Sequence, residues 1–582
     1  MNFVSRRHIA GGLVLFATFA VATTVAGEPG GIVAGSGVIT KRPGSARESQ
    51  VDRARAYWKT LNLIGFRGVG LLAKDGKTVL LEGSGGVNPT ATFNLASIAK
   101  SITAIAVLRL AHRGKLGLDD TLDHFFPDAP ADKRAITVHQ LLTHTGGLGN
   151  PTGDTAEGTK DRGQAVRMIL ATALVDKPGH SHHYSNDGYT LLAAILEVAA
   201  SKSWEQVIHD EILRPAGMRH TFFLGDSLPS GPYAIARAAV TDGEPVESDA
   251  NWGSKGGAGI YSNAEDLLRF MNAAVDGTLL GAQGARELGK SYAPEGQLEY
   301  SRVFSLANIA GRGPQWGHGG ADTGSGHYSD LVYYPNTRLL IVILGLDDED
   351  LKTQVSSGLS KVLFREGAGE VPPSRPGHPA AFRERLELRG GSLLFTIEPG
   401  AGPALLLPQN SDATSFLVAR SEAEKATLEG CVTETGKLLE QVAQLAAADG
   451  ELPDSQVGRA ATAWRQANLE NGPVKSTLIL GATPNWVDGL GGTLSFVRVA
   501  REKQTSVFRL YWSGSTLRAR GGQVYKNPAP LRLIDFGGDE YGGWNPAIGV
   551  YVDLRLSLKD GERQAILEAG GKSIALTASS QP

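Results

Sequence analysis

The chain has 582 residues, 41% hydrophobic and 20% charged, with a formal net charge of −3. That length exceeds one ordinary domain, and the near balance of charge gives no argument for nucleic acid or anionic lipid as a partner. A single cysteine, Cys431, excludes an intramolecular disulfide and any cysteine-rich metal cluster.

Arg6, Arg7 and His8 precede an apolar stretch over 9–25, and small residues at Thr24, Ala26 and Gly27 suit signal-peptidase cleavage. Residues 1–27 are therefore expected to be an export signal, and the mature chain periplasmic or secreted. Ser5-Arg6-Arg7 also resembles the start of a twin-arginine signal. The stretch is too short and too rich in small residues for a spanning helix, so no stable membrane insertion is expected after cleavage. Residues 28–50, rich in Gly and Ser, read as a loose arm.

Apolar runs over 69–73 and 78–81 flank Asp75-Gly76, a strong hairpin turn signal. Ser97-Ile98-Ala99-Lys100 then stands at the head of a helical run. Ile98, Ile102, Ile105, Ala106 and Leu110 recur at helical spacing, and Gly114 marks the stop. Ser97 thus lies near a helix N-terminus, where the macrodipole favours developing negative charge. Three-residue spacing puts its hydroxyl and the Lys100 amine on one face. An adjacent base removes the main limit on a serine nucleophile. Taken alone, the same residues also read as an N-cap and a solvated lysine.

Further along, His139 and His144 are expected to be satisfied buried or capping histidines. His180-Ser181-His182-His183 has the look of a metal cluster, but adjacent loop histidines without a carboxylate or cysteine rarely converge on one ion. They are expected to line a pocket mouth, and no metal is expected. Tyr184-Ser185-Asn186 follows the turn residues Pro178-Gly179 and precedes a helix over 190–200. A tyrosine hydroxyl beside Ser97 and Lys100 can relay a proton if nearby cations favour phenolate; otherwise the lysine is the base. Asn186 offers amide donors and an acceptor. Ser262-Asn263-Ala264-Glu265 has a capping-box pattern before a helix over 263–274.

Trp316-Gly317-His318-Gly319-Gly320-Ala321 supplies glycines that let a backbone approach a ligand, as an oxyanion hole of N–H groups requires. His318 can bind a carboxylate or carbonyl oxygen or assist proton transfer. A second hairpin is expected over 331–346, turning at Pro335-Asn336-Thr337. Strands at both ends of a helical middle predict an α+β domain whose antiparallel sheet is built from both termini. Residues 366–381, dense in Pro and Gly, read as a linker. Residues 382–582 read as a β-rich, barrel-like accessory domain with a helical insertion over 421–447 and 456–469.

Ser97-Ile98-Ala99-Lys100, Tyr184-Ser185-Asn186 and His318-Gly319-Gly320, in that order, resemble the motifs of the serine β-lactamase-related superfamily. The branch is that of class C β-lactamases, D-alanyl-D-alanine carboxypeptidases and family VIII esterases. Leu141-Leu142-Thr143-His144-Thr145-Gly146-Gly147-Leu148, Gly256-Gly257-Ala258-Gly259-Ile260-Tyr261-Ser262 and Asp266-Leu267 reinforce the resemblance as structural segments. It implies a β-lactamase/penicillin-binding-protein-like domain over 51–365, an antiparallel sheet flanked by helices with a helical subdomain. It implies an exported serine hydrolase without a cofactor, taking a small-molecule or peptide substrate through an acyl-enzyme on Ser97. Lys100 is then the partner of the serine, Tyr184 the general base and acid, and Asn186 a substrate-orienting group. The oxyanion hole would be the N–H groups of Ser97 and Ala321, with His318, Gly319 and Gly320 binding substrate. Whether Tyr184 or Lys100 takes the proton stays open.

His318 stands where the third motif often carries lysine. A histidine is charged only part of the time near neutral pH, which lowers the expectation of strong antibiotic hydrolysis. D-amino-acid peptides, other amides and esters, and β-lactam-like compounds remain the substrate classes. Two alternatives stand beside this reading: a carboxylesterase of the same fold, and a silent ligand-binding or sensor module.

Overall fold

A computed structural model describes residues 50–580, apart from 150–155, 157, 224–231, 233, 235–239, 242–243, 246–250, 296–297, 310–311, 365–376, 400–402, 410–421, 449–455, 485–492, 503–504, 514–515, 522–530, 546–549, 560 and 570–571. The expected export signal, the arm up to residue 49 and residues 366–376 of the expected linker lie outside the described residues. No described helix is long and apolar enough to cross a membrane.

The elements that build the first region are α1 (Gln50–Thr60), β1 (Arg67–Lys74), β2 (Lys77–Ser84), α2 (Ile98–His112), α3 (Asn186–Ala200) and α4 (Ala264–Val275), followed by β3 (Ala293–Glu295), β4 (Leu298–Tyr300), β5 (Ser305–Ile309), β6 (Gly313–Asp322), β7 (His327–Tyr334), β8 (Leu339–Leu346) and α5 (Glu349–Phe364). The strands form one sheet in the order β2-β1-β8-β7-β6-β5-β4-β3, antiparallel throughout. Strands from both ends of the region share this sheet, β1 lying beside β8, as the sequence predicts.

β8 explains the layering. Every residue from Leu339 to Leu346 is buried, the mark of a strand covered on both faces. Leu340, Val342 and Leu344 face the helical core with Ile98, Ile102 and Leu191. Leu339, Ile341 and Ile343 face a second core with Trp58 of α1 and Leu359 of α5. In β1 the Trp58 ring lies so close to Gly70 that an added Cβ would sit 2.2 Å from it.

Two helix starts differ from simple expectation. Ser97 occupies the N-cap position of α2, yet its hydroxyl makes no capping bond. α4 is capped by Asn263, whose Oδ1 accepts from Asp266 N at 2.9 Å. Ser262, the expected cap, instead ends a short strand, Ile260–Ser262, paired to Phe93–Asn94. Both residues are competent caps, and the strand pairing decides between them.

Beyond the linker, Ile534–Gly537, Glu540–Asn545, Val550–Lys559, Glu562–Ala569, Lys572–Ser580, Leu386–Gly390, Leu393–Glu398 and Leu405–Pro408 pair antiparallel in that order. Leu405–Pro408 also pairs with Leu531–Arg532, which runs through Leu533 into the first of these strands. The sheet therefore closes on itself as a barrel. Leu388, Phe395, Ile397, Val552, Leu554 and Leu567 form its core, alternating along each strand as barrel interiors do. His378–Pro379, at the end of the expected linker, is already a strand paired to Ile534 and Asp535.

The insertion is larger than expected. Helices Glu422–Ala447 and Gln456–Asn471 come with a separate four-stranded sheet: Val474–Pro484, Thr493–Arg501, Thr505–Ser513 and Thr516–Gly521. Its core holds Cys431, Val497, Val499, Leu510 and Trp512. Burial pushes the Cys431 thiol up to about 11, which suits packing and not nucleophilic attack. The barrel meets the first region on the α1/α5 side. Ile534 joins the core of those helices, Arg532 pairs with Asp348, and Pro403 lies beside Gly65.

The tight Trp58–Gly70 contact yields a stability prediction. Gly70→Ala should destabilise the first region by about 1–3 kcal/mol, the usual cost of overpacking. Denaturant unfolding of the variant checks this; an unchanged midpoint would remove the contact as a constraint.

Candidate active site

The turn before α2 is held from several sides. Leu95 N donates to Ile260 O at 2.9 Å, and Leu95 O accepts from Ser329 Oγ of β7 at 2.8 Å. Asn94 Oδ1 accepts from Ala96 N at 2.9 Å, and Asn94 Nδ2 donates to Asp322 Oδ2 at 2.7 Å. These bonds hold Ala96 at φ 47°, a left-handed conformation that costs an alanine free energy. The bend delivers Ser97 to the head of α2. β6 runs alongside: an added Cβ on Gly320 would lie 2.3 Å from Leu95 O and 3.1 Å from Ser97 N. The pairing of β5 with β6 stops at Ser305 and Gly317. Residues His318 to Asp322 thus extend past β5 beside the serine.

Lys100 is fully buried, one turn into α2. Its Nζ lies 3.1 Å from Ser97 Oγ and 2.9 Å from Gly257 O. It also sits 4.9 Å from the ring centre of Tyr184, a range in which the aromatic face attracts a cation. A Cβ on Gly257 would stand 3.4 Å from Lys100 Nζ and 3.7 Å from Asn186 Oδ1. Ser97, Lys100, Tyr184 and Asn186 are therefore brought together, with the Gly257 carbonyl as an additional member. The glycine segment at 256–259 reads as structural in sequence; its carbonyl serves the lysine directly.

Tyr184 enters from the loop before α3. Ser185 caps that helix, its Oγ accepting from Gly188 N at 3.0 Å, so Asn186 is the first helical residue. Behind the loop lies His144, buried and at φ 56°. Its Nδ1 accepts from Ser185 N at 3.1 Å, which puts its proton on Nε2. Nε2 has no hydrogen-bond partner among the described residues. The expectation of a satisfied buried histidine is therefore met at one nitrogen only.

His318 departs from expectation in charge. It is buried, and Nδ1 donates to Gly319 O at 2.7 Å. Burial first, and the charge of Lys100 second, lower its pKa to about 3. The ring is neutral at physiological pH, not partly cationic, with Nε2 as its acceptor. Its centre lies 6.4 Å from that of Tyr184 and 6.5 Å from that of Tyr300, a fully buried β4 residue. Tyr300 carried no sequence signal, because it belongs to a short strand far along the chain.

The histidine run divides by role. His180 Nδ1 and His183 Nε2 each lie 3.0 Å from Asp176 carboxylate oxygens, which hold that carboxyl well below its usual range. His182 turns inward between His144 and Tyr300, at ring distances of 5.4 and 5.5 Å, and burial lowers its pKa to about 4. His139 accepts from Arg302 Nε at 3.1 Å.

The Beta-lactamase family model matches residues 63–351. Residues 63–351 thus carry a domain of the serine β-lactamase-related superfamily. Among curated relatives, "Putative penicillin-binding protein PbpX" of Bacillus subtilis (strain 168) is 27% identical over 282 residues, 46% of this chain and 70% of that protein. Protein flp of Staphylococcus aureus (strain MW2) is 33% identical over 218 residues, 34% of this chain and 44% of that protein. Among solved structures, the octameric penicillin-binding protein homologue from Pyrococcus abyssi aligns over 91% of this chain and 100% of its own, with a TM-score of 0.50 and 16% identity. At that identity the likeness concerns the fold alone. The superfamily is one of serine hydrolases, and the first region has its β-lactamase/penicillin-binding-protein fold.

The buried histidines set a pH dependence. His318 and His182 fold with pKa values of about 3 and about 4, against an ordinary 6.5. Between these values the unfolded chain binds protons that the folded chain refuses, so stability rises with pH across the window. Their contribution is complete above about pH 6.5 and is lost as pH falls towards 3. The thermal midpoint should therefore drop from pH 6.5 to pH 4, less steeply in His318→Gln. Parallel curves for the two proteins would rule out a buried neutral His318.

Proposed function

We propose that this protein is an exported serine hydrolase that transfers an acyl group to Ser97 and then to water. The observation that carries the reading is Lys100: a buried amine held between Ser97 Oγ and Gly257 O beneath the Tyr184 ring. In this reading Ser97 Oγ attacks a carbonyl carbon, and its proton passes to the Lys100–Tyr184 pair. Tyr184 then protonates the leaving group and later takes a proton from the deacylating water. Asn186 orients the acyl side. The developing oxyanion is held by Ser97 N and Ala321 N. The closeness of Gly320 to Ser97 N supports that assignment, since it brings the end of β6 to the serine amide. Loss of one such donor typically costs two to three orders of magnitude in rate.

The substrate class follows from charge. Where a third-motif lysine would offer a fixed cation, this site presents a neutral His318 whose Nδ1–H is engaged by Gly319 O, leaving Nε2 as an acceptor. A neutral ring makes a poor counter-ion for a substrate carboxylate. Amides and esters of D-amino acids or peptidoglycan-type peptides fit better than chains ending in a free carboxylate beside the scissile bond. The neutrality of His318 equally favours the carboxylesterase reading. Arg6 and Arg7 before an apolar stretch support export.

Labelling with a fluorophosphonate, read by intact mass and peptide mapping, tests the nucleophile. One adduct on Ser97 is expected, absent from Ser97→Ala. Gly320→Ala should label at least about 10²-fold more slowly, because its Cβ displaces β6 from the serine amide. Relative rates on a p-nitrophenyl ester, a D-alanyl amide and a D-Ala-D-Ala peptide then divide the substrate classes. A label elsewhere than Ser97, or full turnover by Ser97→Ala, would end the proposal.

A further inference from the structure

We infer that His144 is a positioning residue for Tyr184, holding the tyrosine at the lysine from behind. The inference rests on the hydrolase reading above. Tyr184 has one neighbour on each side tied to the same residue. His183 N donates to His144 O at 2.8 Å, and Ser185 N donates to His144 Nδ1 at 3.1 Å. The His144 ring backs the Tyr184 ring, with centres 4.5 Å apart and planes at 34°. The left-handed backbone at φ 56° turns the His144 carbonyl and ring towards the same segment. That conformation is unfavourable for a residue with a Cβ.

The support behind His144 is rigid. Tyr189 of α3 donates from its hydroxyl to Leu142 O at 3.2 Å, and Gly179 N donates to Thr145 O at 2.7 Å. The loop carrying His144 is thus pinned to α3 and to the turn before the histidine run. Around the ring stand Tyr184, Tyr189, Tyr300 and His182, with Lys100 and His318 beyond. Burial first, with the charge of Lys100 beside it, keeps the imidazole neutral. Neutrality matters because only the neutral ring offers an acceptor at Nδ1. Protonation would replace that acceptor with a donor facing the Ser185 amide.

A hydroxyl that relays protons must be placed to within a fraction of an ångström, and a misplacement of about 1 Å can cost 10²-fold. The role therefore predicts an effect on turnover, carried through Tyr184. The test is a double-mutant cycle on the full chain, His144→Ala against Tyr184→Phe, with kcat and KM on p-nitrophenyl butyrate and fluorophosphonate labelling rates. His144→Ala alone should lower kcat about 10²-fold with little change in KM, and slow labelling in parallel. In the Tyr184→Phe background it should cost almost nothing further. His144→Asn should recover most of the loss, since its Oδ1 can accept from Ser185 N and asparagine tolerates positive φ. An equal cost of His144→Ala in both backgrounds, or wild-type kcat in that variant, would overturn the inference. If His144→Ala does not fold, His144→Gly, which suits the backbone and removes the ring, takes its place in the cycle. A wild-type chain that neither labels nor turns over ester would overturn the hydrolase reading itself.

Discussion

A lysine amine with no solvent exposure must find its acceptors inside the protein, and Lys100 dictates the arrangement around it. Burying an ammonium or amine without partners costs several kcal/mol. Lys100 meets that demand with Ser97 Oγ, Gly257 O and the Tyr184 face. Each comes from a different part of the chain: the head of α2, the glycine segment before α4, and the loop before α3. The helical core and the sheet are in effect required to bring these three segments to one point. The same lysine also governs its neighbours, because its charge helps to keep His318 and His144 neutral. Two histidines of the pocket, His318 and His144, are thus neutral beside the lysine.

A second constraint works at the serine. Ala96 at φ 47° would relax if unsupported, and the supports are specific: Asn94 to its N–H, Ser329 to Leu95 O, and Asp322 to Asn94. Asp322 and Ser329 belong to β6 and β7, the two strands that run past the site. Strain at the nucleophile is therefore sustained by the sheet, and the sheet is sustained by the apolar double face of β8. Lys352 of α5 extends this chain of support, reaching Asp330 at 2.9 Å on the β7 strand that carries Ser329.

Sequence reading reached the elements whose signals are local. The Asp75-Gly76 hairpin, the α2 periodicity and the antiparallel sheet from both ends follow from turn chemistry, 3.6-residue spacing and buried apolar runs. The meeting of Ser97, Lys100, Tyr184 and Asn186 was legible through motif order. Other features depend on distant segments. Asn94, Gly257 O, His144 and Tyr300 acquire meaning only when residues far apart in sequence are brought together. The neutral state of His318 is likewise invisible in sequence, since burial and the Lys100 charge, not residue type, determine it. Strand alternation after residue 400 could not say which sheet a strand joins. The barrel and its inserted four-stranded module were therefore read as one β-rich unit.

The barrel's attachment bears on how the site is built. Arg532 pairs with Asp348, and Asp348 Oδ1 accepts from Leu351 N at 2.8 Å in the first turn of α5. α5 carries Lys352, which reaches β7 beside Ser329. The barrel therefore touches the first region at the helix that braces the serine-supporting strand. The contact is on the α1/α5 layer, across the sheet from Ser97. An influence of the barrel on the nucleophile through the Arg532–Asp348 pair passes through α5 and β7. It would act by stiffening that support.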